Sequence, residues 1–317
     1  MMKNKDIKVV FMGTPKFAVP VLEGLIENYH VVLVVCQPDR KKNRKGDVII
    51  PDTKRVAISH SIPVFQPERI RSDYQMILDT HPDLIVTCAY GQIIPSEVID
   101  CPLYGAINVH GSLLPELRGG APIHWAIIRG YEETGMTIMR MSLKMDAGDI
   151  IRQASLKIGD NEKLDSLYSR MSILGRDLLL ETIPSILDHT ATYTKQDESL
   201  VTFGYNISKE DEKIDFNLDA VSIYNLIRGL SSIPGAYCLL DDKRMKVYDA
   251  ELFDFDDKGI TYTNGEIVSV LQDGFICKCG TGFIKITDIG IEGKKRCLVY
   301  DYFHGVSGKS MIGKVLK

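Results

Sequence analysis

Apolar and polar positions follow two alternating periods over the first two-thirds of the chain. Ile7–Met12 is a short apolar run ending in Gly13-Thr14-Pro15, and Phe17, Val21, Leu22, Leu25 and Ile26 then repeat at helical spacing. Val31–Val35, Asp83–Ala89 and Gly105–His110 are further strand-length runs, separated by helical or loop stretches. Strands spaced by helix-length segments predict βαβ units around a parallel sheet in an α/β domain. Thr137–Met141 and Asp149–Ile158 read as additional strands. Leu164, Leu167, Tyr168, Met171, Leu174, Leu178 and Leu179 form the stripe of a long helix.

The pattern changes after about residue 195. A polar stretch, Ile207–Asp211, precedes a short amphipathic helix over Ala220–Leu230, whose apolar face carries Ile223, Leu226 and Ile227. From Gly235 onward, short alternating runs are punctuated by Gly and Asp, which predicts a small antiparallel barrel or sandwich. The boundary falls near residues 200–210, with a larger α/β domain over 1–206 and a smaller barrel domain over 207–317 expected.

Composition narrows the class. Of 317 residues, 44% are apolar and 25% charged, the balance of a globular protein with a sizeable core. The net charge of −4 is too small to mark a nucleic-acid binder, so any such contact must come from a local patch. No apolar run reaches the ~20 residues of a membrane span. The opening stretch lacks a signal-type apolar segment, so a cytoplasmic protein without membrane contact is expected. Seven scattered cysteines, an odd number, read as buried free thiols; Cys277 and Cys279 share one face of a strand and have the wrong spacing for a zinc knuckle.

Candidate chemistry concentrates at strand ends. Gly13-Thr14-Pro15 occupies the place of a dinucleotide fingerprint, but Pro15 stands where a second glycine would admit a pyrophosphate, which disfavours a nicotinamide-type cofactor. Asn108 and His110 are two apart at the end of an apolar strand, so both project from one face. Alone, Asn108 reads as a turn cap and His110 as a satisfied buried histidine. Together, where open α/β sheets bind ligands, an amide and an imidazole suit acyl transfer. Asp146 lies in an acidic turn, Met145–Asp149; it either orients His110, acts as a base through water, or simply makes an Asx-type turn, while Asp149 serves the turn. Pro122 suits the first turn of a helix, and His124 and Trp125 read as packing residues. Arg40, Lys41, Lys42, Arg44 and Lys45 form a basic run, either a solvated face or a grip on a phosphate-rich partner.

Asn108–Pro115 with Asp146-Ala147-Gly148 resembles the folate-dependent formyltransferases. Gly13–Ala18, Gln37–Arg40, Ala89–Gly91, Arg118–Ile123, Glu133–Met139 and Ile207–Asp211 extend the likeness, in order, over nearly the whole chain, and point to the branch acting on transfer RNA. The resemblance implies a Rossmann-like catalytic domain followed by a barrel of the OB type. It implies 10-formyltetrahydrofolate as donor, the α-amine of methionine on initiator transfer RNA as acceptor, and no metal. It carries Asn108, His110 and Asp146 over as the catalytic set. Ser112, Leu113, Leu114 and Pro115, with Tyr90 and Gly91, carry over to the folate site, and Arg40, Lys41, Lys42, Arg44 and Lys45 to the transfer RNA. A monomer is expected.

The chain departs from the pattern at Glu116, where a basic residue is common, at Gly120, where alanine is common, and at Ile233, where tryptophan often precedes Pro234. Rival readings are a sugar-nucleotide N-formyltransferase using the same donor, a formyltetrahydrofolate hydrolase with water as acceptor, and a non-catalytic RNA-binding protein.

Overall fold

A computed structural model describes residues 4–41, 48–231, 233–305 and 308–317. The chain divides into two compact units. The first comprises Met1–Pro122, Glu133–Lys157 and Tyr168–Tyr205; the second comprises Ile123–Glu132, Ile158–Leu167 and Asn206–Lys317.

The first unit contains strands β1 (Lys8–Gly13), β2 (His30–Val35), β3 (Arg40–Lys41), β4 (Val48–Ile49), β5 (Val64–Phe65), β6 (Leu84–Cys88), β7 (Ala106–His110), β8 (Glu133–Arg140) and β9 (Ile150–Lys157). Its helices are α1 (Val19–Asn28), α2 (Asp52–Ser59), α3 (Gln75–Leu78) and α4 (Ser96–Ile99). Seven strands form one sheet in the order β5-β2-β1-β6-β7-β8-β9, and β3 pairs with β4 in a separate ribbon. The expected parallel sheet runs from β5 to β7. The last two strands extend it antiparallel, β8 against β7 and β9 against β8.

Val9, Val10, Phe11 and Met12 of β1 and Leu84, Ile85 and Val86 of β6 have no solvent-exposed surface. At roughly 25 cal/mol per Å² of apolar surface, each such side chain contributes about 1.5–3 kcal/mol, so the centre of the sheet anchors the unit. Gly13 closes β1 against β6: a side chain there would meet the Cys88 carbonyl oxygen at 2.6 Å. That contact explains the glycine without a ligand.

Two further helices have residues in both units: α5 (Pro122–Ile128) has Pro122 in the first and the rest in the second, and α6 (Leu164–Leu187) has its residues up to Leu167 in the second and those from Tyr168 in the first. In the first unit α6 lies on the sheet, where a side chain on Gly175 would meet Met136 Cε at 2.9 Å and Val109 Cγ1 at 3.1 Å. Helix α7 (Ala220–Leu230) has the range its periodicity predicts. It begins at Asp219, whose carboxylate accepts from the Ser222 amide at 2.9 Å.

Strands β10 (Ala236–Leu240), β11 (Lys243–Phe253), β12 (Ile267–Val270), β13 (Phe275–Lys278), β14 (Phe283–Ile291) and β15 (Cys297–Leu298) make a six-stranded antiparallel sheet, and α8 spans Val299–Gly305. The sheet surrounds a core of Ile223, Ile227, Val247, Phe275, Ile284 and Ile289, among others. The final residues close it. Lys317 exchanges backbone hydrogen bonds with Leu239 of β10, while the Ile267 amide donates to Lys314 and the Leu316 amide to Gly265 at the start of β12. The tail thus fills the gap between β10 and β12 of a barrel-like domain.

All seven cysteines are free. Five are buried, but Cys101 is exposed and Cys297 half-buried, so the expectation of buried thiols holds for five. Burial pushes the Cys88 and Cys238 thiols up to about 12, which keeps them protonated.

Candidate active site

The register of β6, β7 and β8 assembles the polar groups. Thr87 lies opposite Asn108 across the β6–β7 pair, and His110 lies opposite Thr137 across the β7–β8 pair. The two-residue pleat turns Asn108 and His110 to the same face at the carboxyl end of β7, while Val109 turns to α6.

Asn108 is held by Thr87, a buried hydroxyl that donates to Asn108 Oδ1 at 2.7 Å. With that oxygen engaged, Nδ2 is the end available to a ligand; it has no hydrogen-bond partner among the described residues. His110 is 6% exposed. Its Nε2 lies 3.2 Å from the Leu117 carbonyl oxygen, which only accepts, so Nε2 carries the hydrogen. Nδ1 lies 3.8 Å from Asp146 Oδ2, beyond hydrogen-bond reach.

Asp146 sits in the turn between β8 and β9 with φ of 47°, a left-handed conformation that Asp tolerates better than most residues. Its Oδ2 accepts from the Gly119 amide at 2.8 Å. Two residues on, a side chain at Gly148 would meet the Arg140 carbonyl oxygen at 1.7 Å, so the turn admits only glycine there. The structure brings His110 and Asp146 into contact and sets Asn108 beside them on β7.

The loop after β7 is held from below. Thr137 Oγ1 donates to the Ser112 carbonyl at 2.6 Å and accepts from the Leu114 amide at 3.2 Å, and Gln153 Nε2 donates to the Leu114 carbonyl at 2.9 Å. Ser112 donates its hydroxyl to the Glu116 carbonyl at 2.6 Å. Ser112 and Leu114 are buried inside the protein, whereas Leu113 and Pro115 are half-buried and remain open to a ligand. Tyr90 is buried; its hydroxyl has no partner among the described residues, and burial pushes the phenol above its ordinary range. Gly91 takes a left-handed φ of 88°, and the Tyr90 carbonyl accepts from Gln37 Nε2 at 3.0 Å.

Of the basic run, Arg40 is exposed and, with Lys41, forms β3; Lys42, Arg44 and Lys45 lie outside the described residues. Among the described residues, no hydrogen bond or ion pair joins Arg40 to His110 or Asp146. His124 lies in α5 of the second unit, and burial pushes its imidazole down to about 4, which keeps it neutral, as suits a packing residue. A cavity of about 430 Å³ opens at the amino ends of β1 and β2, lined by Lys5, His30 and His60 among others. It is at the wrong end of the sheet for the polar groups described above, because α/β sheets present ligand sites at the carboxyl ends of their strands. Among the described residues, no group of three or more His, Cys, Asp or Glu side chains is arranged to hold a metal. No described helix is long and apolar enough to cross a membrane.

Sequence reasoning missed the groups that support the site: Thr87, Thr137, Gln153, Arg118 and Gln196. Thr87 left a signal, a single hydroxyl inside the apolar run Asp83–Ala89. Gln196 left none.

A Rossmann-like sheet carries an amide, an imidazole and a carboxylate at its carboxyl edge, groups suited to acyl transfer, and comparison with known proteins shows the family. Residues 7–183 match the formyl transferase family and residues 206–307 match the formyl transferase C-terminal domain. The chain belongs to the formyl transferase family. A methionyl-tRNA formyltransferase of Staphylococcus epidermidis is 46% identical over 98% of this chain and 99% of its own length. One from a Geobacillus strain is 45% identical over 98% of both chains. Among solved structures, the sugar 3N-formyl transferase WlaRD, determined in the presence of dTDP and 5-N-formyl-THF, superposes with a TM-score of 0.66 at 19% identity, over 91% of this chain and 99% of its own. HypX from Aquifex aeolicus, in complex with tetrahydrofolic acid, gives 0.63 at 17% identity, covering 95% of this chain and 47% of HypX. At these identities the structural likeness concerns the fold.

Proposed function

We propose that this protein transfers the formyl group of 10-formyltetrahydrofolate to the α-amine of methionine on initiator transfer RNA, supporting translation initiation. The observation that carries the reading is the end-to-end match to relatives of that name, on a chain that sets an amide, an imidazole and a carboxylate at one sheet edge. The residues suit a formyl donor. Asn108 presents an unengaged NH2, Leu113 and Pro115 offer half-buried apolar surface, and Tyr90 supplies a buried hydroxyl without a protein partner.

When bound, the donor supplies an activated one-carbon unit, and the chain does the rest. Asn108 Nδ2 donates to the carbonyl oxygen as negative charge develops there; one such donor is worth about 2.7–4 kcal/mol in a water-excluded site. His110 Nε2 is committed to the Leu117 carbonyl, so proton movement at this ring passes through Nδ1, on the side that faces Asp146. Asp146 orients the ring and accepts, through water, the proton lost by the attacking amine, while the bond between the formyl carbon and N10 of the folate breaks and N10 takes a proton delivered through His110 Nδ1. Arg40 and the basic residues after it hold phosphates of the acceptor.

The test supplies 10-formyltetrahydrofolate with methionyl initiator transfer RNA, with an amino-sugar nucleotide, or with no acceptor, and follows loss of the formyl group. Consumption that depends on the transfer RNA is expected. Consumption with the sugar nucleotide alone, or with no acceptor, would move the protein to one of the rival activities.

A further inference from the structure

The two family matches leave residues 184–205 between them. From 192 to 200 every residue is exposed except Gln196, which is half-buried. Its carboxamide is fully engaged. Oε1 accepts from Arg118 Nε at 3.0 Å and Nη2 at 2.8 Å, while Nε2 donates to the carbonyl oxygens of Asp146 at 2.8 Å and Gly148 at 2.7 Å. A guanidinium only donates and a carbonyl only accepts, so this amide fits in one orientation alone. It grips the carbonyls of Asp146 itself and of Gly148 two residues on, and ties them to a fully buried arginine.

The same segment holds the other loop that meets the site. Thr194 exchanges backbone hydrogen bonds with Ile150, just after the Asp146 turn. Thr202 accepts from the Leu117 amide through its hydroxyl at 2.9 Å and from the Arg118 amide through its carbonyl at 3.0 Å. Gly204 donates to the Arg118 carbonyl and accepts from the Ala121 amide. Leu117 supplies the carbonyl that faces His110, and Gly119 supplies the amide that holds Asp146 Oδ2. Both loops around the His110–Asp146 pair are therefore fixed against one strap.

We infer that Gln196 is a positioning residue of the formyl-transfer site: through its carboxamide, the strap 194–204 sets the Asp146 carboxylate against His110. The inference rests on the proposed formyl transfer for its kinetic consequence but not for its structural one. Gln196→Glu keeps the acceptor for Arg118 and replaces the NH2 with an oxygen that repels the Asp146 and Gly148 carbonyls. Gln196→Ala removes both ends.

The experiment compares the full-length wild type with Gln196→Glu, Gln196→Ala, Asp146→Asn and the Asp146→Asn/Gln196→Ala double variant. It measures kcat and KM for 10-formyltetrahydrofolate and methionyl-transfer RNA, and hydrogen exchange of the Gly119 amide. We expect kcat to fall about tenfold or more in both Gln196 variants with each KM within about twofold, and the double variant to be no slower than Asp146→Asn by more than about twofold, because the two residues act as one unit. The Gly119 amide should exchange about tenfold faster, with the Ile107 and Val109 amides of β7 unchanged. Unchanged kcat and Gly119 exchange overturn the inference, as do losses that multiply in the double variant or faster exchange spread across β7. If the wild type fails to formylate methionyl-transfer RNA, the functional reading falls and the exchange comparison still decides the role of Gln196.

Discussion

Asp146 Oδ2 faces His110 Nδ1 at 3.8 Å while accepting a hydrogen bond from the Gly119 amide at 2.8 Å. One carboxylate oxygen thus touches the imidazole and the loop after Arg118 together, and the left-handed backbone of Asp146 is what turns it there. Orientation of the base and construction of the loop are joined in a single side chain, and the consequences can be measured.

Asp146→Asn keeps an oxygen for the Gly119 amide but removes the charge beside His110 and the proton acceptor. Turnover should fall by roughly 10²–10⁴-fold, the usual worth of a positioned acid or base, with little change in affinity for the folate donor. Steady-state kinetics checks this; wild-type kcat in the variant removes Asp146 from the mechanism.

Thr87→Val deletes the donor to Asn108 Oδ1 and leaves a carbonyl oxygen without its partner, at a cost of about 1–3 kcal/mol. The carboxamide then loses its fixed orientation, so kcat should drop about tenfold while Thr87→Ser, which keeps the hydroxyl, stays near the wild type. Equal activity of the Val and Ser variants would show that Asn108 is oriented by something else.

Arg40→Ala should weaken use of transfer RNA and leave folate binding intact. If Arg40 neutralises one phosphate, the slope of log affinity against log salt becomes shallower by roughly 0.7–0.9. An unchanged slope in a titration from low to moderate salt identifies this residue as a solvated face.

Glu198 is held down to about 2, from an ordinary 4.5, by hydrogen bonds from Arg118 and Lys144. A carboxylate depressed in the folded state stabilises it above the unfolded value, and that contribution fades as pH falls from about 4.5 toward 2. Urea unfolding should therefore show Glu198→Gln less stable than the wild type at neutral pH, with the gap narrowing through that acidic window. A gap that stays constant with pH contradicts the assignment. The carboxylate is exposed, so the effect is small and screened by salt.

By itself the sequence determined the local elements and which polar groups stand at strand ends and turns. The buried runs at β1, β2, β6 and β7, the two-residue spacing of Asn108 and His110, and the capped, amphipathic α7 are all encoded within a few residues, because side-chain period and burial are local properties. Resemblance supplied the family and marked Asp146, which spacing alone left divided between catalysis and a turn. Only the tertiary structure decided that Asp146 faces His110, that Ser112 and Leu114 spend their polar groups inside the protein, and that Thr87 bonds Asn108 and Gln196 bonds the Asp146 carbonyl. Those are pairings between residues far apart in the chain, made through sheet register and loop closure, and no local pattern of hydrophobic and polar positions carries them.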